Sequence, residues 1–276
     1  MRQRHVLLGY LSVMTLVSTT LGGYVACGAQ KYRVPVHGTE TEVSGARPNT
    51  KTSGATASGG SANLFGVHSS KGWARNLPVK FKSSSEIPEP VVKELRSAMA
   101  IWESAVGKTL FVYDGIEDRK GSAFKELYEP LNDTINSHYF DFNWAKATGK
   151  SPTVLATTIW ENDPKDQATI VKADIRYNAE YYIFGDALKE YSEGKRTIVD
   201  MQSLALHEVG HLLGLTHITE KDDRYSVMNP SLFIGEGMMT RRLSEGDIER
   251  IRSVYGVGDP TLANNLEKAD NFPSQN

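Results

Sequence analysis

His207, Glu208, His211 and His217 are the residues of this chain whose types and spacing could do chemistry. They stand in the run His207-Glu208-Val209-Gly210-His211-Leu212-Leu213-Gly214-Leu215-Thr216-His217. On a helix, side chains four apart project from one face, so the imidazoles of His207 and His211 can reach one ion. Glu208, one position on, points beside that ion rather than at it. That suits a base for a metal-bound water and suits a ligand poorly. If the chain turns sharply at Gly214, His217 swings back as a third ligand, and a β-branched residue there would resist the turn. Three neutral imidazoles leave a fourth tetrahedral position for water, as a catalytic zinc requires. The chain has one Cys, which excludes an internal disulfide framework and a Cys-rich zinc site. With 7 His in 276 residues, His-Glu-x-x-His followed in register by Gly and His arises by chance in roughly 2 of 100,000 such chains. Scattered histidines that bind nothing are therefore the weaker explanation. A site that binds metal but is catalytically dead is the stronger competitor, and it leaves the presence of Glu208 unexplained.

Several elements must position these residues. A helix starts at Asp200, a fitting N-cap, and runs through Met201, Leu204, Ala205 and Val209 to Leu213, with Gly214 stopping it. Upstream, Leu77 to Lys82 alternates like a first strand. Val91, Leu95, Ala98, Trp102 and Ala105 make one apolar helical face, which Gly107 ends. Leu110 to Tyr113 reads as a second strand. Residues 114–150 carry many charges and weak patterns. They read as loops, with one short helix around Phe124 to Tyr128. Thr153 to Trp160 and Ile170 to Tyr177 are β-rich and read as strands. A last helix opens at Ser244. Asp247 can reach back as a capping box, Leu243 and Ile248 stand as a hydrophobic staple, and Gly256 ends it.

The His207–His217 run resembles the long zinc motif of the metzincin metallopeptidases, and Ser226-Val227-Met228 resembles their Met-turn. Within that clan the chain most resembles the matrixins. Asp200 to Leu206 is similar to their active-site helix, Leu243 to Gly256 to their closing helix, and Ala173 to Asn178 to their edge strand above the cleft. The resemblance implies an α+β catalytic domain: a twisted mixed sheet, an active-site helix, a Met-turn and a C-terminal helix. It implies one catalytic zinc held by His207, His211 and His217, with Glu208 as general base and Met228 beneath the metal. The implied reaction is hydrolysis of peptide bonds by a zinc-activated water, with protein or peptide substrates. The competing reading is an inactive, zinc-stabilised surface binding module. Calcium is common in that family, but no ligands are assigned here, and Asp114, Glu117, Asp118 and Asp163 read as solvated loop charges. No Cys lies between Cys27 and the motif, so the propeptide switch of matrixins is absent. Apart from the three in the motif, His138 is the one His in 72–257, so no second zinc is expected. Asn229-Pro230 after Met228 lacks the tyrosine that usually borders the specificity pocket.

The chain has 31 basic and 33 acidic residues, a formal net charge of -2, and 39% hydrophobic residues. These are globular values, and they give no support to a nucleic-acid partner. Residues 1–26 pair a basic opening with a short apolar run and a small-residue exit, the pattern of a signal peptide. Val25-Ala26-Cys27-Gly28 resembles a lipobox, which makes Cys27 a candidate for lipidation and the protein a cell-surface or outer-membrane lipoprotein. Ordinary cleavage nearby, giving a secreted or periplasmic protein, is the alternative. Residues 27–71 are rich in Gly, Ser and Thr and read as a disordered tether. Residues 72–257 read as the catalytic domain and 258–276 as a polar tail. Membrane contact would run only through the lipid, and the domain reads as a monomer.

Overall fold

The structure, a computed structural model, describes residues 33–35, 65–192, 198–234 and 240–258. Residues 1–26, read as a signal peptide, Cys27 and nearly all of the tail lie outside them. Strand β1 (Val79–Ser84) alternates as expected, burying Val79 and Phe81. Helix α1 (Glu89–Val106) follows, opened by Pro88 and Pro90, which suit a first helical turn. It buries Val91, Leu95, Ala98, Trp102 and Ala105 and stops at Gly107, whose φ of 66° is the left-handed conformation of a C-cap. Strands β2 (Phe111–Glu117), β3 (Asn136–Asp141), β4 (Ala156–Asp163) and β5 (Asp166–Asn178) complete one sheet in the order β2-β1-β3-β5-β4. The β1–β2, β1–β3 and β3–β5 pairs are parallel, and only β4 runs antiparallel. Helix α2 (Trp144–Thr148) is a single turn. Helices α3 (Met201–Leu212) and α4 (Glu245–Tyr255) close the fold. The architecture is α+β, with a mixed, mostly parallel sheet.

The stretch 114–150 differs from its sequence reading. It contains β3, 3-10 turns at Gly121–Ala123 and Glu129–Asn132 and the helix α2, rather than one short helix at 124–128. The reason is polar burial. Ser137, His138 and Asp141 of β3 are all buried, so no apolar alternation marks the strand. Glu117 is likewise no loop charge, since it ends β2 at 7% exposure.

The second difference concerns β5. Ala173–Asn178 is not an edge, because β5 is paired on both sides; the strand at that end of the sheet is β4. Asp174, Arg176 and Asn178 alternate along β5 with Ala173, Ile175 and Tyr177. In the fold Arg176 is fully buried, pairs with Asp141, and donates from Nη1 to the carbonyls of Glu126 and Leu127 at 2.7 and 2.9 Å. The loop at Glu126–Leu127 is thereby pinned onto β5.

His138 packs in the core between the rings of Phe81 and Tyr177, with Nδ1 3.0 Å from the Tyr177 hydroxyl. Burial pushes its pKa down to about 3. The folded value lies below the unfolded one, so this contribution to stability is complete above pH 6.5 and is lost as pH falls toward 3. In His138→Leu, the stability difference between pH 7 and pH 4 should shrink by roughly 3 kcal/mol relative to the parent in denaturant titrations.

Residues 65–71 are not loose tether. Val67 forms an antiparallel bridge with Leu215, and the Ile170 N–H donates to the Gly72 carbonyl at 2.7 Å. Arg33–Pro35 pairs antiparallel with Ser231–Phe233. Composition hid both because these contacts are made mostly by backbone groups.

Candidate metal centre

Helix α3 is fully buried along most of its length and lies against α1. Trp102 of α1 donates from Nε1 to the Leu206 carbonyl at 3.0 Å, one residue before His207. At the start, the Asp200 carboxylate accepts from Ser203 N at 3.1 Å, the N-cap that the sequence predicts. At the end, Gly214 takes φ 106°, a conformation that a residue with a Cβ resists. The chain turns there and brings His217 back.

The ligand atoms of His207, His211 and His217 lie within 4.8 Å of one another. His207 Nδ1 donates to the Val227 carbonyl and His211 Nδ1 to the Leu215 carbonyl, each at 2.8 Å. Those two bonds fix the tautomers and leave lone pairs on both Nε2 atoms. The two Nε2 atoms are 3.0 Å apart. Two lone pairs at that distance repel unless a cation lies between them. Two nitrogens at about 2.0–2.1 Å from a tetrahedral zinc would sit roughly 3.3 Å apart. Burial holds His217 down to about 4, so its ring is neutral as well. The donor set fits one zinc ion.

Glu208 is fully buried, and that burial raises its pKa to about 8. One carboxylate oxygen, Oε2, accepts from the Thr158 hydroxyl at 2.6 Å, which pulls the pKa back down. The other oxygen, Oε1, has no hydrogen-bond partner among the described residues. Thr158 lies on β4, 50 residues from Glu208, and sequence reasoning gave no sign of it.

Met228 is fully buried under α3. A Cβ on Gly210 would come 2.3 Å from Met228 Sδ and 3.2 Å from Trp102 Cζ2, so only glycine allows this approach. Gly210→Ala should cost about 1–3 kcal/mol through overpacking, read as a Tm lower by about 2–4 °C per kcal/mol. The Met-turn is tied to α4 through its capping box, in which Asp247 accepts from Ser244 N. The same Asp247 carboxylate accepts from Ser226 Oγ at 2.6 Å and Val227 N at 2.8 Å. Val227 then offers its carbonyl to His207. One buried carboxylate thus links the closing helix to a ligand's tautomer. Beside His207 opens a cavity of about 520 Å³, lined in part by Asn229, Leu232, Leu243 and Arg242.

His68 is the site residue that the domain boundary at 72 left out. Its Nε2 donates to the His211 carbonyl at 2.9 Å. No single-residue signal in a Gly- and Ser-rich stretch could have marked it.

A parallel-rich sheet, a buried helix carrying three convergent imidazoles and a methionine beneath them together form a candidate metal centre. The matrixin family model, of the M10 peptidases, matches residues 131–256. Metalloendoproteinase 5-MMP of Arabidopsis thaliana is 42% identical over 64 residues, covering 23% of this chain and 16% of that protein. Metalloendoproteinase 1-MMP of the same plant is 34% identical over 94 residues, covering 33% of this chain and 23% of that protein. The chain therefore spans less than a quarter of the length of these curated relatives. High choriolytic enzyme 1, a hatching-enzyme zinc protease of the medaka Oryzias latipes, superposes with a TM-score of 0.32 at 15% identity, over 65% of this chain and 90% of that one.

Proposed function

We propose that this chain is a zinc metalloendopeptidase acting on exported or surface proteins. The observation that carries the reading is the state of Glu208: buried beside three converging imidazoles, with Oε2 held by Thr158 and Oε1 unengaged. His207, His211 and His217 would hold the ion. When bound there, zinc supplies Lewis acidity to water and to a peptide carbonyl. Glu208 Oε1 takes the proton of the attacking water and returns it to the leaving amine. Thr158 keeps the carboxylate aimed while that proton is held. No nucleophilic side chain is needed.

The terminal strand β4, rather than the central β5, lies beside α3 and would be the one that an extended peptide adds to. The cavity beside His207 would take one substrate side chain. The leader and Cys27 would export the domain and anchor it on a lipid, with the following residues as spacer.

Incubating the full chain with a denatured protein tests the proposal. Cleavage that stops with a zinc chelator and returns with added zinc supports it. Stoichiometric zinc without cleavage of any denatured protein would overturn it in favour of the binding module.

A further inference from the structure

A helix ends with carbonyls that have no partner within the helix. At the end of α3 these are answered largely from upstream. The His211 carbonyl accepts from His68 Nε2 at 2.9 Å and the Leu212 carbonyl from Trp73 Nε1 at 2.8 Å. The Gly214 carbonyl accepts from His68 N at 2.8 Å, and Tyr255 of α4 answers Leu213. In the other direction, Thr216 N donates to the Gly66 carbonyl at 2.9 Å, and Val67 bridges Leu215. Leu215 is the residue whose carbonyl fixes the His211 tautomer. Gly66–Ser69 therefore grips the chain at 211, 214, 215 and 216, between the second imidazole and the third. The grip is tight, since a Cβ on Gly214 would sit 2.9 Å from the Ser69 carbonyl. His68 is itself fixed: its ring stacks on Trp160 at 4.0 Å, and its Nδ1 faces Ser69 Oγ at 2.9 Å.

We propose that Gly66–Ser69 is an integral strap of the metal centre, with His68 as a positioning residue that sets where His211 and His217 present their nitrogens. The inference rests on the zinc reading above. Loss of the His68 donor leaves the His211 carbonyl with the Gly214 N–H, at 3.0 Å, in place of two donors, and loosens the last turn of α3 from the strap. His211 and His217 lie on either side of that turn, so a loosened turn spreads the donor set. Partners of metal ligands typically change metal affinity by roughly 10–100-fold when removed. A strap that only packs would lower stability with and without zinc alike.

The test uses the full chain as wild type, His68→Ala and His68→Gln. Zinc affinity is read by competition with a chromophoric chelator, and ligand geometry by the visible absorption of the cobalt(II)-substituted protein. His68→Ala should weaken zinc by about tenfold or more and alter the cobalt band. His68→Gln, whose amide can donate to the same carbonyl, should recover most of both. Zinc affinity within twofold of wild type in His68→Ala overturns the inference, as does a Gln variant no better than Ala. A wild-type chain that takes up no zinc overturns the functional reading as well, so the two failures are distinguishable.

Discussion

Glu208→Gln should lower kcat/KM on a denatured protein by roughly 10³-fold while leaving one zinc bound per chain. The substitution keeps the shape and the partner, since a Gln can still accept from Thr158. It removes only the capacity to take up a proton. His207, His211 and His217 are untouched, so metal content measured by mass spectrometry should not change. The variant also separates chemistry from folding through pH. Burial raises the Glu208 pKa from 4.5 to about 8 in the metal-free protein. A raised folded pKa means stability that is complete below pH 4.5 and lost as pH rises through 8. Gln cannot ionise and loses nothing over that window. Metal-free Glu208→Gln should therefore be more stable than the metal-free parent at pH 8, by no more than about 5 kcal/mol. A variant that is inactive yet more stable cannot be dismissed as misfolded. Turnover within tenfold of the parent would remove Glu208 from the reaction. Thr158→Val, which loses the hydroxyl but keeps the volume, should fall between the two.

The centre was legible from the sequence where the chemistry is local. His207 and His211 share a helix, Gly214 and His217 follow within a turn, and Asp200, Ser244 and Asp247 are caps whose partners lie three residues away. Each of these is a short-range rule acting on a few neighbours. The parts that stayed hidden depend on contacts made across the fold. Thr158 reaches Glu208 over 50 residues and His68 reaches His211 over 143. Neither spacing leaves a periodic trace. Strand β3 and the central place of β5 were hidden for a related reason. Both strands bury polar residues, among them Arg176 paired with Asp141 and donating to loop carbonyls, so the pattern mimics a surface. Asp247 combines both cases: its capping role is visible locally, but its hold on Ser226 and Val227 appears only once α4 lies against the Met-turn.

Stripping zinc from the protein should lower its stability by about 4 kcal/mol when free zinc had stood a thousandfold above its dissociation constant. The expectation follows from what the metal-free centre contains. His207 and His211 keep their Nδ1 bonds to Val227 and Leu215, so both Nε2 lone pairs stay turned on each other at 3.0 Å. Both rings are almost wholly buried, so water does little to relieve that repulsion. A dication converts it into two bonds and ties α3 to the turn that carries His217. For a domain of this size, 4 kcal/mol corresponds to a Tm lower by about 8–16 °C. Calorimetry before and after chelation reads the change, and zinc, unlike calcium, should restore it. In His211→Ala the repulsion disappears together with a ligand. Added zinc should then move Tm by little, and denatured-protein cleavage should be lost. A parent protein whose Tm is indifferent to chelation, or a His211→Ala variant that zinc still stabilises fully, would mean that the three rings do not act on a common ion.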